Sequence, residues 1–126
     1  MKTDAVTLAD LSGSVLAVPP LARNADLTLN RAANMALIRH IEAGGVTTLL
    51  YGGNANFYNI GLHEYAATLD FLAQAAGPGS WMIPAVGPDF GKMMDQVPLL
   101  KARSFPTVMV LPLGFPATMS GVATGI

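Results

Sequence analysis

The sequence predicts an α/β protein in which short strands alternate with amphipathic helices on a mainly parallel sheet. Three observations carry this expectation. Four compact apolar runs of strand length lie along the chain, around Leu16, Leu49, Ile83 and Met109. The segments between them repeat apolar residues at helical spacing. Glycine or proline stands at nearly every junction. The units recur at about 30 to 35 residues, the length that a β-α-β crossover requires. Such alternation implies a parallel sheet with right-handed crossovers. Three closed architectures fit the pattern by itself: a doubly wound sandwich, half of an eight-stranded barrel, or a small flavodoxin-like domain.

Residues 1–12 are polar and mixed, and read as a tail or a short lead-in helix; the domain proper is expected over 13–126. Gly13 to Pro19 is a short β-branched run that Pro19-Pro20 stops, the first expected strand. Leu29 to Ala43 is the clearest helix. Leu29, Ala33, Leu37 and Ile41 recur every four residues with Ile38 beside them, while Asn30, Arg31, Asn34, Arg39 and Glu42 take the other side. Thr28 is its expected N-cap, and Gly44-Gly45 its end, because glycine accepts the left-handed conformation beyond a helix.

Val46 to Tyr51 is the second strand, nearly continuous in apolar residues, as burial of both faces demands. Leu62 to Ala76 is a helix with Tyr65, Leu69, Leu72 and Ala76 on one stripe, stopped by Gly77-Pro78-Gly79. Trp81 to Val86 is the third strand, followed by Gly87-Pro88. Asp89 to Arg103 reads as a helix that Pro98 kinks or splits in two, since proline removes an interior hydrogen bond. Phe105 to Leu111 is the fourth strand, ended by Pro112. Met119 to Ile126 looks like the approach to a further helix, and the unfinished end suggests a truncated chain or a half-barrel that pairs with another half.

Composition narrows the partners. The chain of 126 residues is 52% hydrophobic and only 12% charged, against about 25% charged in an ordinary soluble domain. So apolar a chain should bury surface against something. The net charge of -1 offers nothing to nucleic acid or to an anionic membrane. There is no cysteine, hence no disulfide, thiolate nucleophile or cysteine metal site. Met1 to Asp10 lacks the apolar stretch of a signal peptide, and no run reaches the ~18 residues of a membrane helix. A reducing, cytoplasmic setting suits these features.

The stretch that concentrates the chemistry is Gly52-Gly53-Asn54-Ala55-Asn56-Phe57-Tyr58-Asn59-Ile60, a glycine-rich loop delivered by a buried strand. It falls on a Gly-Thr-Thr-Gly-Glu signature. Around it, in order, come Pro19-Pro20, Asp26, Ile41-Glu42-Ala43-Gly44-Gly45-Val46, His63-Glu64-Tyr65, Ile83-Pro84-Ala85-Val86-Gly87, and Val110-Leu111-Pro112-Leu113-Gly114 with Gly121. In this spacing the chain resembles the dihydrodipicolinate synthase and N-acetylneuraminate lyase family of Schiff-base aldolases and lyases, from Gly13 to Ile126. The resemblance implies a (β/α)8 TIM barrel, of which these residues form the amino-terminal half, β-α-β-α-β-α-β. It implies a pyruvate-like 2-oxo acid as substrate, no cofactor, no metal, and a homo-oligomer, a dimer or more usually a homotetramer. It also implies a catalytic lysine on a later strand, beyond Ile126; the lysines here are Lys2, and Lys92 and Lys101 in a helix of what should be the outer layer, poorly placed to be nucleophiles. Gly53, Asn54 and Ala55 are the implied substrate-binding positions, through backbone amides aimed at the carboxylate.

The departures fall on the reactive positions. Asn54 replaces the proton-relaying threonine and has no hydroxyl. Ala55 replaces a glycine, Asn56 the glutamate, and Gly114 a tyrosine; Asn56 and Gly114 are thus candidate loop positions whose chemistry has changed. A non-catalytic barrel with a binding or assembly role is the alternative, and a small anion-binding α/β domain a further one. Simpler readings also stand. Gly52-Gly53 also reads as a turn, and Asn54 and Asn56 as loop residues bonding their own backbone. His40 lies at a helix surface. His63-Glu64 lacks the further ligand that zinc requires and suits charge matching in a first helical turn. Met93-Met94 reads as core packing, and Phe57 and Tyr58 as packing or subunit contact.

Overall fold

A computed structural model describes residues 1–112. Gly114, Gly121 and the helix expected from Met119 lie outside the described residues. Within them the elements are α1 (Leu8–Ser12), β1 (Leu16–Ala17), α2 (Arg31–Ala43), β2 (Thr48–Tyr51), α3 (Leu62–Ala75), β3 (Trp81–Val86), α4 (Phe90–Lys101) and β4 (Met109–Val110). All neighbouring strands are parallel and the sheet runs β1-β2-β3-β4. This order separates the three architectures left open above. A doubly wound or flavodoxin-like sheet reverses its strand order at a switch point. A barrel adds each strand beside the last, as this chain does, so the described residues are four consecutive strands of a β/α barrel.

The register fixes which residues face which layer. Leu49 lies beside Met82, and Tyr51 beside Pro84. Leu49, Tyr51 and Met82 are fully buried and share one cluster with Ile38 of α2 and Tyr65, Leu69 and Leu72 of α3. The outer face of the sheet and the helix layer therefore form the core. The Tyr65 hydroxyl reaches back to donate to the Ala85 carbonyl at 2.9 Å. Its burial pushes the phenol pKa well above the ordinary value.

Several expectations need correction. The outer strands are shorter than the apolar runs: β1 pairs over two residues and β4 over two, where Gly13–Pro19 and Phe105–Leu111 were expected. Proline lacks the N–H that a ladder needs, and Pro19, Pro20, Pro106 and Pro112 bracket these runs. The cap of α2 is Asn30, whose side chain accepts from the Ala33 N–H, and Thr28 instead donates from its N–H and its hydroxyl to Asp26. Asn34, expected on the polar side, is fully buried. Its amide pairs with the Ala22 backbone in both directions, at 2.8 Å each, and also donates to the Asn30 carbonyl. A carboxamide is an isostere of a peptide group, so it completes a loop as a neighbouring strand would. Ala33 is correspondingly exposed.

Helix α4 runs continuously through Pro98. The carbonyl that loses its intrahelical donor belongs to Met94, on the exposed side of the helix, where water can serve it. The methionine pair divides: Met93 packs on the core and Met94 is 55% exposed. Glu42, placed with the polar face above, is half-buried and holds the turn before β3 by accepting from the Gly77 N–H at 2.7 Å and from the Ser80 hydroxyl.

The amino-terminal residues lie against the sheet. The Lys2 N–H donates to the Ser80 carbonyl and Met1 packs on the core cluster. Helix α1 begins with a capping box between Thr7 and Asp10. The Thr7 hydrogen bonds and the Lys2 ammonium hold the Asp10 carboxyl down, to a pKa of about 2.

Candidate functional site

The glycine loop sits at the carboxyl end of β2. Its backbone makes a specific pattern: the Asn56 N–H donates to the Gly53 carbonyl at 2.9 Å and the Phe57 N–H to the Gly52 carbonyl at 3.1 Å. Asn56 between them is left-handed, with φ 57°. Those two bonds and that conformation are a Schellman motif, the turn that ordinarily ends a helix. Asparagine is the side chain that tolerates the left-handed region best after glycine. Asn56 is thus explained by conformation, and its Oδ1 accepts from Asn59 Nδ2 at 2.7 Å.

One helical turn without a helix behind it leaves its leading amides over. Among the described residues, the N–H groups of Gly53, Asn54 and Ala55 have no hydrogen-bond partner. Gly53 and Asn54 are exposed and Ala55 is buried. Successive unpaired amides in a turn make a concave, electropositive nest suited to an anion. Gly52 is buried, and a Cβ there would already touch Met109 Sδ at 3.4 Å. The loop therefore lies close against the end of β4.

Three contacts hold the turn in place. Asn54 Nδ2 donates to the Val18 carbonyl at 3.0 Å, joining the loops after β1 and β2. Phe57 is buried, edge-on to Tyr65 with ring centroids 6.1 Å apart. Lys92, in the first turns of α4, donates from Nζ to the Phe57 carbonyl at 3.2 Å and the Tyr58 carbonyl at 2.7 Å. Partial burial lowers the lysine's pKa, Asp89 opposing. Lys92, poorly placed above for a catalytic amine, ties α4 to the candidate loop. Lys101 is exposed at the end of α4. At the end of β3, Gly87 has φ 95° and its N–H is held by Gln96 Oε1 at 2.8 Å.

Of the remaining sequence candidates, His63 and Glu64 share a groove with Asn56 and Asn59 of the loop, and His40 does not line it. His40 is exposed. His63 is exposed on a groove of about 610 Å³ between the Arg23–Leu29 loop and α3. Glu64 in that groove makes a bidentate pair with Arg23 at 2.8 and 2.9 Å. Arg23 holds the Glu64 carboxyl below its ordinary pKa. Among the described residues no three of His, Asp or Glu converge on a metal position. No described helix is long and apolar enough to cross a membrane. Sequence reasoning missed Asn34 and Lys92. Nothing in periodicity signals either, because both act across the fold on backbone atoms.

No protein-family model matches the sequence, and no curated protein matches it. The fold has clear counterparts among solved structures. Dihydrodipicolinate synthase from Rhodopseudomonas palustris superposes with a TM-score of 0.68 at 17% identity, over 80% of this chain and 34% of that one. N-acetylneuraminate lyase from Proteus mirabilis gives 0.72 at 16% identity, over 78% and 34%. This chain has their fold. Dihydrodipicolinate synthase from Bacillus clausii gives 0.63 at 17%, over 82% and 36%. The chain spans about a third of the length of these proteins. The four parallel strands found here are thus part of a barrel of the dihydrodipicolinate synthase and N-acetylneuraminate lyase type.

Proposed function

We propose that these residues are the carboxylate-binding half of a Schiff-base lyase or aldolase acting on pyruvate or a related 2-oxo acid. The observation that carries the reading is the nest of amides at Gly53, Asn54 and Ala55, set at the carboxyl end of a barrel strand, where such barrels do their chemistry. A 2-oxo acid presents a carboxylate to such a nest and its keto carbon to an amine. The amine would come from a lysine beyond Ile126, because Lys92 is committed to two carbonyls and Lys2 and Lys101 lie away from the loop. A cytoplasmic homo-oligomer without a cofactor accompanies the reading.

The test is an intact-mass measurement on protein from its natural source after incubation with pyruvate and borohydride. A reduced pyruvyl adduct on a lysine outside residues 1–126 is the expected result. Its absence, with pyruvate still perturbing the Gly53 to Ala55 amide resonances, favours the second reading: a barrel that binds the acid without turning it over. Asn54 supports that alternative. Its side chain is engaged with Val18 and carries no hydroxyl to relay a proton. Unperturbed amides would remove both readings.

A further inference from the structure

We propose that the Tyr58 hydroxyl is a fourth donor to the acid held at the Gly53–Ala55 nest, directed at its carboxylate. The inference rests on the carboxylate reading of that nest and adds a side chain to it. An ionised carboxylate offers about four lone-pair sites. The amides of Gly53, Asn54 and Ala55 fill three of them, which leaves one for a further donor. The local fold selects the residue. Phe57–Asn59 form a 3₁₀ turn directly after the loop. Residues three apart eclipse one another in such a turn. Phe57 and Ile60 are 0% and 2% exposed, so they fix the face of the turn that meets the core. Tyr58 is thereby turned out of the core and is 39% exposed.

Its ring lies back over the start of the loop. Tyr58 Cε2 is 3.9 Å from the point where a Gly53 side chain would begin. Glycine at 53 leaves that flank of the nest to the tyrosine, whose hydroxyl oxygen is attached at the ring carbon next to Cε2. The backbone under the ring is pinned, because Lys92 Nζ donates to the Phe57 and Tyr58 carbonyls. The hydroxyl itself has no hydrogen-bond partner among the described residues. Tyrosine packs by its ring and keeps a polar tip for a partner. The other side-chain donors of the loop are engaged: Asn54 Nδ2 with the Val18 carbonyl, Asn59 Nδ2 with Asn56 Oδ1.

The test follows the Gly53, Asn54 and Ala55 amide resonances of the full-length protein during titration with pyruvate and, separately, with propionate. Propionate has the carboxylate and lacks the keto oxygen. Tyr58→Phe keeps the ring and removes the hydroxyl. It should weaken both acids about tenfold, the scale of a hydrogen bond to a charged group, at an unchanged urea midpoint. Equal affinity in Tyr58→Phe and the unsubstituted protein would overturn the proposal. So would a loss confined to pyruvate, which puts the hydroxyl on the keto oxygen. An unchanged affinity with a lowered oligomeric mass in light scattering would overturn it as well, and would assign the ring to a subunit contact. If neither acid moves the amides of the unsubstituted protein, the carboxylate reading fails and this proposal with it. Loss of the hydroxyl effect by itself leaves that reading standing.

Discussion

Ile41–Val46 and Gly52–Phe57 are the same turn in two settings. At the end of α2, the Gly45 N–H donates to the Glu42 carbonyl and the Val46 N–H to the Ile41 carbonyl, with Gly45 left-handed at φ 83°. After β2 the identical pair of bonds encloses Asn56. In the first setting thirteen residues of helix precede the turn. The motif there satisfies carbonyls that the helix would otherwise orphan. In the second setting no helix precedes it, so the leading amides of Gly53 to Ala55 are left without a partner among the described residues. One hydrogen-bond pattern closes a structural element in one place and opens a candidate binding surface in the other. The isolated turn also depends on outside support, from Asn54, Phe57 and Lys92, which the helix end does not need.

The largest way to break this pairing is Gly45→Val. A β-branched residue forced to positive φ should destabilise the fold by about 2 kcal/mol, read from urea midpoints at unchanged slope. The corresponding Asn56→Ala should cost about 1 kcal/mol, while Asn56→Gly should cost markedly less, because glycine enters the left-handed region freely. If Asn56 acts by conformation, pyruvate binding survives Asn56→Gly; loss of binding there with full stability would assign its side chain to the ligand.

Lys92→Met separates the two turns most cleanly. Hydrogen exchange should quicken at Phe57 and nearby loop amides, while Gly45 and Val46 keep their protection. Equal quickening at both sites would show global destabilisation instead. The smallest expected effect is electrostatic. The Arg23 pair holds Glu64 below its ordinary carboxylate value of 4.5. Its contribution, about 0.5 kcal/mol, is therefore complete above pH 4.5 and is lost as the pH falls through the lowered folded value. Glu64→Gln should flatten that acid limb of the stability curve, and Arg23→Met should do the same, with neither altering Gly45 exchange near neutrality.

Much of the fold was legible beforehand because periodicity reports burial. Trp81–Val86 is the expected third strand, every residue of it buried, and α3 follows its expected stripe through Tyr65, Leu69 and Leu72. Residues whose partners are backbone atoms on another element escaped that reading. Asn34 looked solvated by its type, and Lys92 by its position on an outer helix. In each case the chain offers a polar side chain and no local sign of the carbonyl it will meet.

By itself the sequence determined the alternation of strands and helices, the glycine loop after the second strand, and the spacing that points to a barrel. Those are properties of local propensity and hydrophobic period. The order β1-β2-β3-β4 was decided only in three dimensions, since several parallel topologies share one pattern of elements. So was the left-handed turn at Asn56. Its three leading amides, unpaired among the described residues, are set there because Phe57 is buried against Tyr65 and Lys92 holds the carbonyls beyond, contacts between segments that the linear chain keeps far apart.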